Sequence, residues 1–307
     1  MPKSLIRVLQ GVAALAIIAL ATRTVVRDWD RVRSESIGWG FDWWCIVASL
    51  VVTWLMYLLL IHAWRAVLLT WGEVLPWWRA VRIWFVSSLG KYIPGKLWAL
   101  AAMAVMAERA GVSGAAATAS SVVMQLVSIT TGIAVAMALL GREVLSDSTT
   151  LGLAGIVGLA AAALAGTALV GSPYVMEWLG KAIGRPGAVR HVGSRAMLHA
   201  TLPSLIAWLG YGTALFLLVR GTLPGVQLGW GTATGAFAAS YIAGYLAVFA
   251  PGGLGVREGT LILILGPVVG QGNAIAIAFA SRLTLTINEL GAALPLLVFG
   301  RSTRDLA

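Results

Sequence analysis

The chain has 307 residues, 59% of them hydrophobic and 11% charged, and its mean hydropathy is +0.87. An average soluble domain carries roughly 25% charged residues, so this composition excludes a soluble enzyme and leaves a membrane protein with room for roughly six to eight spans of ~20 residues. The net charge of +10 is accounted for by cytoplasmic loops and anionic lipid headgroups, without nucleic acid as a partner.

After Lys3 and Arg7 comes an apolar run that ends at Ala19-Leu20-Ala21. Its end resembles a signal-peptidase site, but we read segment 1–26 as an uncleaved N-terminal helix. Residues 27–42 mix Arg27, Asp28, Asp30, Arg31, Arg33 and Glu35 with Trp39, and Trp43 and Trp44 follow, as an external interfacial loop with an aromatic belt would. The single cysteine, Cys45, excludes an intrachain disulfide or a thiolate metal site. Span 45–69 follows, then Arg79 and Arg82, an interrupted stretch at 83–106, Glu108-Arg109, an apolar run at 115–140 and a linking helix at 151–171. Residues 172–199 carry Lys181, Arg185, Arg190 and Arg195 against Glu177 and read as the clearest cytoplasmic loop. Two hydrophobic regions remain, 202–219 and 229–299, before a tail with Arg301 and Arg304.

Counting sides back from that loop places Glu108-Arg109 inside, and counting forward from a cytoplasmic N-terminus places Arg79 and Arg82 inside, so stretch 83–106 must enter and leave on one face. Split at 92–95, it gives two arms of about 10 residues, each roughly 15 Å long or half the hydrocarbon core. That is a re-entrant hairpin from the cytoplasmic face. The same count makes 231–270 a hairpin from the outer face, followed by a full span at 273–299. The fold class expected is an all-α polytopic membrane protein, a single domain over 1–307, with about six full transmembrane helices and two re-entrant hairpins. Segments 45–140 and 202–299 then form an inverted-topology repeat, an architecture whose substrate site lies at the midplane.

The two interruptions are GKYIPGKLW (90–98) and PGGLGVREG (251–259). Non-helical, charged backbone at membrane depth is tolerated where it lines a protein-walled cavity, so the candidate substrate-binding residues are Lys91, Tyr92, Pro94, Gly95, Lys96, Trp98, Pro251, Gly252, Gly253, Gly255, Arg257 and Glu258. The first motif is not a phosphate loop: Leu97 stands where Ser or Thr would hold magnesium, and Pro94 removes a backbone donor. The second fails the dinucleotide fingerprint, because Glu258 occupies the last glycine position. Its glycines instead free amides at a helix start near Val256, where an anionic group such as a phosphate is stabilised. Lys91 and Lys96 fit an anion-facing role, against simple snorkelling to the interface. Arg257 and Glu258 fit either a self-neutralising pair or a direct substrate contact. Arg282 and Glu289 lie two turns apart on one helical face, with Asn288 adjacent, and must point into the bundle and find partners. Glu258 and Glu289 are either proton carriers or members of a fixed network with Arg257 and Arg282. His62 and Arg65 fit interface anchoring, and Gln125 an interhelical hydrogen bond. His62, His191 and His199 are too scattered for a metal site, and no serine has a histidine and an acid at motif spacing. No cofactor is expected.

Together, GKYIPGKLW, PGGLGVRE, and the later Arg282 and Glu289 resemble the family of the lysylphosphatidylglycerol synthase transmembrane region, from about residue 45 onward. The resemblance implies movement of a lipid with a phosphate or modified headgroup between leaflets; some relatives serve polyprenyl-linked sugar or cell-envelope pathways. This sequence has no aminoacyl-transferase domain beside the membrane region, which argues against lipid aminoacylation and against an aminoacylated phosphatidylglycerol as cargo. The reading is therefore a flippase-like transporter, not an enzyme. It would lie in the cell membrane with both termini cytoplasmic, with a membrane lipid as substrate and an envelope-synthesis enzyme as a conceivable partner. The rival readings are a membrane-embedded transferase acting on a lipid phosphate and a non-transporting scaffold. Single cysteines replacing Lys91 and Lys96 in a Cys45→Ser background are expected to react with an impermeant maleimide from the same side; labelling from opposite sides would remove the first hairpin.

Overall fold

A computed structural model of the chain describes residues 38–92, 97–144, 150–182, 192–247 and 250–298. The predicted N-terminal helix 1–26, the charges at 27–35, Pro94, Gly95, Lys96, Arg185, Arg190, His191 and the tail arginines lie outside them. The helices are α1 (Trp43–Thr70), α2 (Trp77–Ser88), α3 (Leu97–Arg109), α4 (Gly114–Val144), α5 (Thr150–Val170), α6 (Pro173–Ala182), α7 (Ser194–Thr222), α8 (Trp230–Leu246), α9 (Val256–Val269) and α10 (Gln271–Val298). Short 3₁₀ turns at Leu89–Tyr92 and Pro251–Gly253 mark the two breaks, and no strand occurs among the described residues.

Helix α1 begins where the Asp42 carboxylate accepts the backbone N–H groups of Trp44 and Cys45, at 3.0 and 3.3 Å. Hydrogen bonds from the Cys45 side chain and from these two amides hold the Asp42 carboxyl below the usual carboxylate range. With 28 residues, α1 is about 42 Å long. It packs along α7 in antiparallel sense: Gly40 and Asp42 donate to the carbonyls of Thr222 and Gly221 at 3.0 and 2.9 Å, and mid-helix the Ser49 hydroxyl donates to the Ala214 carbonyl at 2.7 Å. Four stretches of the described chain are long and apolar enough to cross a bilayer, Trp43–Thr70, Gly114–Leu140, Ser194–Thr222 and Pro251–Val269. The last is interrupted at its start, so its continuous helix, α9, has 14 residues and reaches only about 21 Å. The protein is thus a multi-pass, all-helical membrane protein.

The α1–α7 pair defines two ends of the bundle. One holds residues 38–42 and 221–229. At the other, Glu73 accepts the Ser113 N–H at 3.2 Å and Arg79 donates to the Ala110 carbonyl at 3.3 Å, which brings the start of α2 beside the end of α3. The described parts of stretch 83–106 thus begin and end at the same end of the bundle, with arms that run to Trp77 and Arg109. The arms touch at Gly90, where an added Cβ would sit 2.6 Å from the Ala99 backbone nitrogen. In the second hairpin α8 packs on α9, and Gly253, at φ +70°, lies against the Gly244 backbone, 3.0 Å from where its Cβ would be.

The helix contacts map onto themselves when α1–α4 are exchanged for α7–α10. The α1–α7 contact is its own counterpart, α2–α3 answers to α8–α9, α3–α4 to α9–α10, α4–α8 to α10–α2, and α4–α7 to α10–α1. Helices α5 and α6 stand outside this correspondence.

Residues 172–199 are less of a loop than their charges suggested. Pro173–Ala182 is helical, and α7 starts at Ser194. Glu177 and Lys181 form an i,i+4 ion pair at 2.8 Å on α6, and the lysine's hydrogen bond and charge hold the Glu177 carboxyl below its ordinary value. Met176 is buried while Tyr174 and Trp178 are exposed, so the segment is an amphipathic helix, a form that charge counting alone does not distinguish from a loop. Replacing Gly90 by valine is expected to destabilise the fold by about 1–3 kcal/mol through overpacking of the hairpin arms, read as a lower thermal-unfolding midpoint in detergent. An unchanged midpoint would mean the arms do not meet there.

A candidate anion site between the two breaks

The two breaks touch each other, and beside them lies a cavity of about 420 Å³. Lys91 from the first break and Gly252 and Gly253 from the second reach it, with Tyr57 from α1, Trp84 from α2, Gln125 from α4, Trp208 and Tyr211 from α7, Tyr241 and Tyr245 from α8, Arg257 from α9, and Arg282 and Glu289 from α10. Leu60, Leu100, Met103, Val122, Leu126 and Ile129 give the remaining wall an apolar surface. The cavity therefore has charged, aromatic and apolar groups in its lining.

Helix α10 serves both breaks. Arg282 Nη1 donates to the Gly252 carbonyl at 2.9 Å and to Glu258 Oε1 at 3.2 Å. The other Glu258 oxygen accepts the Gly255 N–H at 2.7 Å. Glu258 is thus the anion at the start of α9, and an amide expected to await a ligand phosphate is already engaged by the protein's own carboxylate. Two turns further along α10, Glu289 accepts the Tyr57 hydroxyl at 2.7 Å and forms a salt bridge with Lys91. Arg282 and Glu289 share a helical face without pairing with each other, because each meets a charge presented by a different break.

Arg257 is placed differently. It is 7% exposed, its Nη2 donates to the Ser281 hydroxyl at 3.0 Å, and its guanidinium lies 5.2 Å from the ring centroids of both Phe237 and Tyr241. Among the described residues it forms no salt bridge to a carboxylate; Glu258 pairs with Arg282 instead, so the adjacent Arg257-Glu258 pair is not self-neutralising. The aromatic faces contribute about 2 kcal/mol for a desolvated cation, but they supply no anionic oxygen to the guanidinium. Gly244 permits this seat: a Cβ there would lie 2.9 Å from the Arg257 Cβ. Phe237 stacks between Tyr211 and Tyr241, at 5.6 and 5.9 Å, and Trp208 packs edge-on to Tyr241 at 5.7 Å, so the rings that hold Arg257 are themselves held.

Of the residues singled out from the sequence, the structure brings Lys91, Gly252, Gly253, Arg257, Arg282 and Glu289 to the cavity. Glu258 and Gly255 stand just behind it as a supporting pair, and Pro251 opens the second 3₁₀ turn. Tyr92 closes the first turn. Trp98 is 53% exposed and does not line the cavity. Asn288 is buried and donates to the Thr284 carbonyl of its own helix at 3.0 Å, away from the cavity. Pro94, Gly95 and Lys96 lie outside the described residues. Sequence reading missed Tyr57, Tyr211, Tyr241, Tyr245, Phe237 and Ser281. A signal was present: four of the chain's six tyrosines line the cavity from within helices, away from the interfacial positions where tyrosine is usual. Gln125 also turns to the cavity.

A multi-pass helical protein with broken helices meeting at a charged cavity is the class that fold and site define. The chain belongs to the family described as the lysylphosphatidylglycerol synthase TM region, which matches residues 8–288. Comparison with curated proteins gives no match. The family places the chain among membrane proteins with a lipid-related function. Changing Arg282 to methionine leaves the Glu258 carboxylate without its guanidinium and is expected to cost about 3–5 kcal/mol, measured by thermal unfolding in detergent. Adding Glu258→Gln should return part of the loss, and additive effects would deny the pair any coupling.

Proposed function

We propose that this chain is a flippase-like transporter that moves an anionic, phosphate-bearing lipid between the leaflets of the cell membrane, and that it does not act as an enzyme. The observation that carries the reading is Arg257. A buried guanidinium with no carboxylate salt bridge among the described residues faces a cavity that also has apolar lining. A desolvated cation without a counter-charge is costly, and a phosphodiester supplies that counter-charge with oxygens that match the guanidinium fork. The acyl or prenyl chains lie along the apolar wall and extend into lipid. A phospholipid and a polyprenyl-phosphate-linked lipid both satisfy this chemistry.

The two helical hairpins act as re-entrant elements entering from opposite faces, and their meeting point lies near the midplane, between the halves of an inverted repeat. The exchange symmetry of the helix contacts supports this arrangement. The bundle end that carries Arg79, Arg82, Arg109, Lys181 and Arg195 faces the cytoplasm, in keeping with the bias of lysine and arginine to that side. Transport is downhill or ion-coupled, since neither interruption has the residues of a nucleotide site.

In liposomes containing the purified chain, a head-labelled phosphatidylglycerol and a labelled polyprenyl phosphate are to be followed by loss of outer-leaflet signal, with phosphatidylcholine as a comparison. At least one anionic lipid should equilibrate faster than in empty vesicles, and Arg257→Ala should slow it by at least about tenfold, the equivalent of one lost charge-assisted hydrogen bond. Equal rates for Arg257→Ala and wild type would sink the assignment.

A further inference from the structure

We infer that the headgroup beyond the phosphate is uncharged and bears hydroxyls, and that Gln125, with Ser121 and Ser128 beside it, is the residue that selects it. The inference rests on the cavity as an anion site and names the class of headgroup that site takes. Ser121, Gln125 and Ser128 stand at i, i+4 and i+7 on α4, so they share one helical face, and all three line the cavity. They lie within Gly114–Leu140, a stretch long and apolar enough to cross a bilayer. Val122, Leu126 and Ile129, each one position from a member of the polar set, line the cavity as well. One helix thus presents a polar strip and an apolar strip side by side, about 100° apart around its axis.

The hydrogen bonds of the polar strip are not spent within the protein. Ser87, Ser88, Ser204 and Thr286, the other serine and threonine residues of the lining, each donate to a carbonyl three or four residues back in their own helix, at 2.7 to 3.2 Å. That is how a hydroxyl is commonly satisfied in an apolar helix. Thr118, Ser120, Thr130 and Thr131 of α4 do the same. The side chains of Ser121, Gln125 and Ser128 make no hydrogen bond to another described residue, and the interhelical bond expected of Gln125 is not formed among those residues. The Gln125 amide keeps two donors and an acceptor, and an unsatisfied amide at membrane depth is strongly disfavoured. The strip is also fixed in place. The Trp208 indole N–H donates to the Ser128 carbonyl at 3.0 Å and to the Thr131 hydroxyl at 3.3 Å, which ties α4 to α7 at that level.

The charges of the lining decide what kind of polar group the strip meets. Among the described residues, Lys91, Arg257 and Arg282 line the cavity against one carboxylate, Glu289. Even with Glu258 counted behind Arg282, cations exceed carboxylates there. A phosphodiester answers that excess, whereas a headgroup with an ammonium of its own would add to it. Hydroxyls carry no charge, and each can both donate to and accept from an amide or a serine. Glycerol and sugar headgroups both offer them. An alkyl phosphodiester would satisfy Arg257 and leave the α4 strip unmet, and a site built to hydrogen-bond a hydroxyl rejects the analogue that lacks it.

Short-chain phosphatidylglycerol, phosphatidylinositol and phosphatidylpropanol are to be titrated calorimetrically into the full chain in phosphatidylcholine nanodiscs, with empty nanodiscs as the blank. The third lipid shares the phosphodiester charge but has no headgroup hydroxyl. Wild type should bind at least one of the first two about tenfold or more tighter than phosphatidylpropanol, the equivalent of one hydrogen bond; the tighter of the two names the source, glycerol or sugar. Gln125→Leu, which removes the amide, should bring that ratio to within about twofold of unity, and Ser128→Ala should lower it. Equal affinity of wild type for all three lipids, or an intact ratio in Gln125→Leu, overturns the inference while leaving the anion site standing; the strip then meets only water. No binding of any of the three by wild type, or binding by Arg257→Ala as tight as wild type, overturns the anion-site reading and this inference with it. If Gln125→Leu does not fold, the wild-type ratio and Ser128→Ala decide the matter.

Discussion

The structure depends on how charged, non-helical backbone is satisfied inside an apolar bundle. Hydrocarbon offers no hydrogen bonds, so each break must be closed by protein groups. Helix α10 supplies them: Arg282 holds the Gly252 carbonyl and Glu258, and Glu289 holds Lys91. One helix is thereby pinned to both interruptions, and the interruptions are brought into contact. Glycine makes the approach possible, at Gly90 against the Ala99 backbone and at Gly253 against Gly244. A larger residue at either place would move the cations that face the cavity.

The exchange relation between α1–α4 and α7–α10 governs the packing but not the chemistry. Where α10 brings Arg282 and Glu289, its counterpart α4 brings Ser121, Gln125 and Ser128 to the same cavity. The two exchanged sets of helices thus line one cavity with different groups, ionic from α10 and neutral from α4. The aromatic ladder of Tyr211, Phe237 and Tyr241 stacks beneath the Arg257 guanidinium and holds it in place.

Much of the fold was visible in the chain because lipid makes strong demands. Apolar length located the cores of α1, α4, α5, α7 and α10. Within 172–199, which reads as loop from its charges, Pro173–Ala182 is helical, because charge density marks a membrane side but not a backbone conformation; α6 satisfies its charges with an i,i+4 pair and its apolar face with Met176. Trp98 belongs to the first motif and Asn288 adjoins Glu289, yet neither lines the cavity. Neighbours in sequence along a helix point in different directions.

By itself the sequence determined that this is a multi-pass helical protein with two charged interruptions, since a run of apolar residues broken by glycine, proline and charge has few stable forms in a bilayer. Only the tertiary structure decided which charges neutralise one another. Arg257 is adjacent to Glu258 in the chain, yet Glu258 turns to Arg282, 24 positions away, and Lys91 finds Glu289 at a separation of 198. Ion pairing depends on distance through space between side-chain ends, which helix direction and packing set. That Arg257 makes no carboxylate salt bridge among the described residues is therefore a property of the fold and not of the motif.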